Sequence, residues 1–185
     1  FPDAALFQAS GIAVDVVIDF SHPSLLAALL AMCTDLSLPV VVATTGLSPE
    51  HVRMVDEAAA AIPILRSANL SLGINLMKSL SVRAARLLAE DFDGEIVEAH
   101  HRRKLDAPSG TALLLADAIR DSLGGDIPYV LDRHAERRPR DRREIGIQAV
   151  RGGGIVGEHT VMFAGEEEIL EIRHAALIRD VFARG

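Results

Sequence analysis

Aromatic side chains are scarce in this sequence: it has no tryptophan, one tyrosine and six phenylalanines. That is too few for the stacked platform that holds single-stranded nucleic acid. The one cysteine, Cys33, excludes an internal disulfide and fits a reducing compartment. No apolar run approaches the ~20 residues of a membrane-spanning helix. Residues Phe1 to Phe7 carry Asp3 and no basic flank of a secretory signal. A soluble, cytoplasmic protein is expected. Positive charge is also short, since 19 Lys and Arg against 26 Asp and Glu leave a net charge of −7. Broad contact with nucleic acid or an anionic membrane is therefore disfavoured, and an anionic ligand needs a local basic cluster. No His, Cys or carboxylate spacing matches a metal site. The first residue is Phe1 rather than Met, and Gly185 follows directly on Arg184, so the chain is expected to be a piece of something longer.

What is present suits a globular protein. The 185 residues are 49% hydrophobic and 24% charged, enough for a real core in one domain or two small ones. The run Val14 to Phe20, rich in β-branched residues, predicts a strand buried on both faces. Leu25, Leu26, Leu29 and Leu30 recur at helical spacing within Ser24 to Cys33. Leu38 to Ala43 predicts a second strand, ended by Thr44-Thr45-Gly46. Ser48-Pro49-Glu50 supplies an N-cap, a proline at the first helical position and a first-turn acid for a helix to about Ala61. Ile62 to Leu65 predicts a third strand. Strands alternating with helices over short connections indicate a parallel sheet.

The pattern changes between residues 68 and 73. An amphipathic helix over Ile74 to Glu90 and another over Thr111 to Leu123 accompany four strand-like runs, Glu95 to Ala99, Ile145 to Val150, Ile155 to Ala164 and Glu168 to Ala175. This is an α+β arrangement with a mixed four-stranded sheet. Asp132 to Glu144 is almost entirely charged, arginines alternating with acids, and reads most simply as a solvated loop. Gly152-Gly153-Gly154 lies between two strands and reads as a turn.

The basic cluster is found in the stretch E-A-H-H-R-R-K-L-D-A-P-S-G-T, Glu98 to Thr111. Five side chains from His100 to Lys104 are cationic or can become so, directly after a strand. Pro108-Ser109-Gly110-Thr111 then opens a helix, where free N–H groups and the positive end of the helix dipole favour a carboxylate or phosphate. Imidazoles near pKa 6.5, and an ammonium whose pKa a desolvated site can lower, are proton donors suited to a reacting carbon; from spacing alone the same run reads equally as a basic loop at a strand end followed by an ordinary helix start. His22, His51 and His134 are isolated, and His159 and His174 fall in strand patterns that suggest structural roles.

That stretch resembles the signature segment of the bacterial dihydrodipicolinate reductase family. The resemblance extends along the chain through Asp15 to Pro23, Ala43-Thr44-Thr45-Gly46, Ser67 to Asn75, Val156 to Thr160, and His174 with Arg179, in order and spacing. It implies a reductase that transfers a hydride from NADH or NADPH to a cyclic dicarboxylate imine in the diaminopimelate route to lysine. By resemblance, His100 is the general acid and Lys104 a second proton donor. His101, Gly110 and Thr111 bind the substrate. Ala43, Thr44, Thr45, Ser67, Ala68, Asn69 and Leu70 line the nicotinamide end of the cofactor site. Residues 1–70 would be the later part of a Rossmann-like dinucleotide-binding domain, 71–178 the substrate and oligomerisation domain of a homotetramer, and 179–185 the start of a return to the first domain.

Departures from the family pattern are Ala43 for the usual glycine, Leu70 for an aromatic, and Leu177-Ile178 for a small or hydroxylic pair. The glycine-rich turn that cradles a pyrophosphate and the residue that selects between NADH and NADPH are not among these 185 residues. A chain truncated at both ends, inactive by itself, is thus expected. The alternative is a non-catalytic relative that binds a dicarboxylate or self-associates without a cofactor.

Overall fold

A computed structural model describes residues 4–134 and 137–184, and the chain divides into two compact units, Phe1–Ala68 and Asn69–Gly185. The first begins with α1 (Ala4–Ala9), followed by β1 (Val17–Asp19), α2 (Leu26–Asp35), β2 (Val40–Val42), α3 (Pro49–Ala58) and β3 (Ile64–Arg66). The three strands form a parallel sheet in the order β1-β2-β3. Leu26, Leu30 and Cys33 of α2 pack with Val40, Val42, Val55 and Ile62 to form its core. The Ser48 side chain accepts the His51 N–H in a capping box that starts α3, as the Ser48-Pro49-Glu50 pattern predicts.

All three strands are shifted or shorter than expected, β2 spanning Val40–Val42 within the run from 38 to 43, and β1 is not buried on both faces, Ile18 being 60% exposed; two of the differences have local reasons. Strand β1 is shorter than the run from 14 to 20, because parallel pairing begins only where Val17 meets Val40. Strand β3 starts at Ile64 rather than Ile62. The Ile62 N–H is used by the Ala58 carbonyl at the end of α3, and Pro63 has no N–H to pair.

The second unit comprises α4 (Leu72–Leu88), β4 (Asp93–His100), α5 (Gly110–Leu123), β5 (Tyr129–Val130), β6 (Ile145–Arg151), β7 (Gly157–Ala164), β8 (Ile169–Ala176) and α6 (Val181–Arg184). Its sheet has five strands rather than four, in the order β5-β6-β4-β7-β8; β5, β6 and β4 are parallel, and β7 and β8 run antiparallel to their neighbours. The additional strand, β5, is two residues long and leaves no periodic signal. One face of the sheet, with Ile96, Ile145, Ile147, Val161 and Phe163, packs against Ile74, Met77 and Ala85 of α4 and Ala112, Leu115, Ala116 and Ile119 of α5.

The charged stretch from Asp132 to Glu144 is not simply solvated. Arg140 reaches Asp93 and Glu95, each at 2.9 Å, while Arg133 pairs with Glu95 and with the buried Glu144. The interleaved acids and arginines therefore lock the stretch onto the start of β4. Residues 135 and 136 of that stretch, with residues 1–3 and 185, lie outside the described residues.

Candidate active site

Alternation along β4 puts Ile96, Glu98 and His100 on the helix-covered face. The lower end of that row is apolar and the upper end is charged. Glu98 is 0% exposed, an environment in which a lone carboxylate is very costly. It is fully partnered. Its Oε1 accepts the Ser109 N–H at 3.1 Å and an Arg151 guanidinium N–H at 2.7 Å; its Oε2 accepts the other Arg151 nitrogen at 2.8 Å and faces His100 Nδ1 at 2.6 Å. Arg151, at the end of β6, stands opposite His100 in the parallel register.

Glu98 also lies opposite His159 on β7, which lies opposite His174 on β8. The His159 ring meets that of His100 edge-on at 5.2 Å between centroids, and its Nε2 is 3.1 Å from Ser109 Oγ. Ser109 Oγ accepts the Ala112 N–H as the N-cap of α5, so its own hydrogen is available to His159. His159 thus holds the Ser109 cap, a structural contact, and at the same time borders the His100 ring.

The electrostatics follow from this packing. Burial by itself would raise the Glu98 pKa, but bonds from Arg151, His100 and Ser109 outweigh it and hold the carboxyl below its ordinary value. Burial lowers His100 below an ordinary imidazole; the bond and charge of Glu98 oppose that without overcoming it, and Lys104 and Arg151 reinforce it. His159 is lowered to about 4, chiefly by burial and then by the neighbouring His100, and is neutral at pH 7.

With His100 Nδ1 engaged, Nε2 makes no hydrogen bond among the described residues, and 11% of the side chain remains open. A Cβ at Gly157 would sit 3.2 Å from that nitrogen, so glycine keeps the ring edge clear. Lys104 is on the loop after β4, its Nζ 2.9 Å from Asp106 Oδ1. The loop is held to the triple-glycine turn between β6 and β7 by the Arg102 N–H on Gly153 O and the Gly152 N–H on His100 O. His101 is half-buried. Gly110 and Thr111 form the first turn of α5, beyond the Ser109 cap. The Thr111 hydroxyl accepts from Asn69 Nδ2 at 2.9 Å, and Asn69 Oδ1 accepts the Ser71 N–H at 2.8 Å. Two residues assigned to different ligands, Asn69 and Thr111, are therefore bonded to each other, and Leu70, next to Asn69 in sequence, is half-buried.

In the first unit, Ala43, Thr44 and Thr45 leave the carboxyl end of the central strand β2, and Ser67 leaves that of β3 with its N–H on Val42 O. Asp19, at the end of β1, accepts the buried Thr44 hydroxyl at 2.7 Å and the Ser21 N–H at 3.0 Å. Thr45, Gly46 and Ala68 are exposed. The carboxyl ends of parallel strands, with a short turn of small residues, are where α/β sheets bind dinucleotides. The described strand ends therefore offer the kind of edge at which such a fold can take a dinucleotide.

Arg151 is not singled out in the sequence, Glu98 and Asp19 appear there only inside longer motifs, and His159 only as a structural histidine. A signal for two of them exists: Glu98 and Arg151 occupy inward positions in otherwise apolar alternations, and a charge there requires a partner.

The family model described as dihydrodipicolinate reductase, N-terminus, matches residues 4–70, and its C-terminus counterpart matches residues 73–185. A 4-hydroxy-tetrahydrodipicolinate reductase of Clostridium tetani is 48% identical over all 185 residues, which cover 72% of that relative. One from Caldanaerobacter subterraneus subsp. tengcongensis is 53% identical over 171 residues, 92% of this chain and 68% of its own length. Among solved structures, a dipicolinate-bound dihydrodipicolinate reductase from a Paenisporosarcina species has a TM-score of 0.73 at 25% identity, over 97% of this chain and 69% of that one. GenD2 from gentamicin A biosynthesis, in complex with NAD, shares the fold at a TM-score of 0.56 and 14% identity, over 91% of this chain and 57% of that one. The signature stretch and the two matched halves agree in order and position: the chain belongs to the dihydrodipicolinate reductase family.

Proposed function

We propose that this protein reduces 4-hydroxy-tetrahydrodipicolinate to tetrahydrodipicolinate with NADH or NADPH, the 4-hydroxyl departing as water while one hydride and one proton are added to the ring, a step of lysine and diaminopimelate biosynthesis. The observation that carries this reading is a buried, carboxylate-backed imidazole, His100, beside a lysine and the open N-terminal turn of α5. A protein that merely binds a dicarboxylate has no use for a buried proton donor. The nicotinamide supplies the hydride. His100 delivers a proton to the ring carbon and Lys104 acts as a second donor close to the accumulating charge. His101 and the N–H groups of Gly110 and Thr111 hold the carboxylates, aided by the positive end of α5.

Ala43, Thr44, Thr45, Ser67, Ala68, Asn69 and Leu70 would border the nicotinamide. In this reading residues 1–70 hold the dinucleotide, 71–178 hold the substrate and assemble a homotetramer, and 179–185 lead back toward the first domain. The tetramer is supported by the sheet face opposite α4 and α5, which presents Val150 and Ile169. Among the described residues no helix is long and apolar enough to cross a membrane; a cytoplasmic site of action belongs to the same proposal and rests on the family's place in amino-acid biosynthesis.

The test is His100→Ala in the full-length protein. We expect turnover to fall ~100- to 10,000-fold, followed by loss of the reduced-nicotinamide absorbance, with cofactor affinity unchanged by titration. Unchanged turnover would remove His100 from the acid's role, and a wild-type protein that does not oxidise NADH or NADPH with this substrate would overturn the reading.

A further inference from the structure

His100 does not stand alone in the buried end of the sheet, and the group behind it touches more of the site than any other. We infer that Glu98 is a positioning residue: clamped by Arg151, its carboxylate holds His100 with Nδ1–H donated inward and Nε2 turned outward, and it ties the first turn of α5 to the same anchor. The inference rests on the reading of His100 as the proton donor.

The geometry carries it in three steps. First, a fully enclosed carboxylate persists as an anion only if its oxygens are filled, and here Arg151 takes one N–H to each oxygen, at 2.7 and 2.8 Å. Such a two-pronged pair is directional as well as strong, so it fixes the carboxylate plane. Secondly, an ionised carboxylate only accepts, so the atom 2.6 Å away, His100 Nδ1, must carry the hydrogen. The neutral ring is therefore the Nδ1–H form, and its proton-exchanging atom is Nε2, the edge that Gly157 leaves clear. Thirdly, the same carboxylate accepts the Ser109 N–H at 3.1 Å. Ser109 caps α5, so the anion seat at Gly110 and Thr111 and the proton donor are referred to one group. Small misplacements of reacting atoms are expensive in rate, and a shared anchor keeps the two in a constant relation.

The proton movement balances. The Nε2–H bond of the imidazolium breaks, its electron pair stays on Nε2, and the proton bonds to the substrate carbon that carries the excess electron pair. A neutral Nδ1–H ring remains bonded to Glu98, and Nε2 recovers a proton from solvent. The charged and titratable groups facing His100 are Glu98 on its own strand, Arg151 on β6, His159 on β7 with His174 beyond it on β8, and Lys104 on the following loop with Asp106 as its partner. Helix α5 contributes only the uncharged Ser109 to this ring of groups. Among the described residues, Glu98 is thus the one anion in contact with the ring.

The test reads the His100 imidazole by nitrogen NMR in the full-length protein, so it needs no catalysis. In the wild type, the neutral ring is expected as Nδ1–H. Glu98→Gln presents an amide in place of the anion, so the ring reverts to Nε2–H and its titration moves to lower pH. Arg151→Met leaves Glu98 uncompensated, and the titration moves to higher pH. Where turnover is measurable, its alkaline limb follows the same two opposite displacements, and each unit downward removes about tenfold of the imidazolium above the pKa. A purely structural Glu98 would lower thermal stability without moving tautomer or titration. A wild-type ring in the Nε2–H form overturns the proposal whether or not the variants fold. So do folded variants that shift in the same direction or not at all. If the wild type is not a reductase, the tautomer still decides the positioning role, and the two failures are told apart.

Discussion

Each unit ends a parallel strand in a buried carboxylate, and the two are used differently. Asp19 closes β1 and accepts from the Thr44 hydroxyl and from Ser21; among the described residues it has no cationic partner. Glu98, near the end of β4, is gripped by a guanidinium and an imidazole. The first arrangement organises a turn out of neutral donors. The second places opposite charges in a dry environment, where each changes the proton affinity of the other. The difference teaches that a strand end supplies position, whereas the charge of the partners decides whether a buried carboxylate only organises a turn or also alters the proton affinity of its neighbours.

The sharpest way to break this comparison is by stability. Arg151→Ala strands a buried anion and is expected to cost about 3–5 kcal/mol, whereas Asp19→Ala strands only neutral donors and is expected to cost about 1–2 kcal/mol. Denaturant unfolding of both variants measures the difference, and equal losses would erase the distinction.

Acid should separate the units next. His159 titrates at about 4 in the folded protein against an ordinary 6.5. The folded state then binds fewer protons than the unfolded one across that interval. Stability is complete above pH 6.5 and is lost as pH falls toward 4, by about 3 kcal/mol for this group. Hydrogen exchange across this range should show amides of the second unit losing protection first, and His159→Gln should flatten the trend. Equal loss in both units would refute the assignment to His159.

The smallest contrast uses two glycines. Gly157→Ala crowds His100 Nε2 and should lower turnover about tenfold through misplacement, with little change in melting temperature. Gly46→Ala meets no neighbour within 4 Å but forces a side chain onto φ +75°, costing about 1 kcal/mol of stability and little turnover. A reversed pattern would show that the turn at Gly46, not the ring edge at Gly157, is the tighter constraint.

The strands and helices were legible where periodicity was long. The leucines of α2, the cap at Ser48 and the alternation of β7 all announce themselves. Strand β5 does not, because two residues carry no period. Nor does the locking of Asp132 to Glu144, since alternating charges look the same whether solvated or paired; only the placement of Asp93 and Glu95 opposite Arg140 and Arg133 decides it. At the site, the basic run from His100 to Lys104 was visible because it is contiguous. Glu98 was visible only as a letter in that run. Its partner Arg151 comes from a strand 53 positions away in sequence, and no local pattern states that β4 and β6 lie side by side in the register that joins them.

That separation has a bearing on how the molecule is assembled. The pair requires β6 to return parallel to β4 after a long crossover, and such closures are slow because chain entropy is lost before contacts compensate for it. The helices can form early, but the charge clamp cannot exist until β4 and β6 have paired. We therefore expect the imidazole of His100 to acquire its native resonance only in the final phase of refolding, after helical signal has returned; native imidazole in an early burst would contradict this. The same four-bond carboxylate that steadies the proton donor would then serve as an internal mark that folding is complete, so that chemistry becomes available only to chains that have finished.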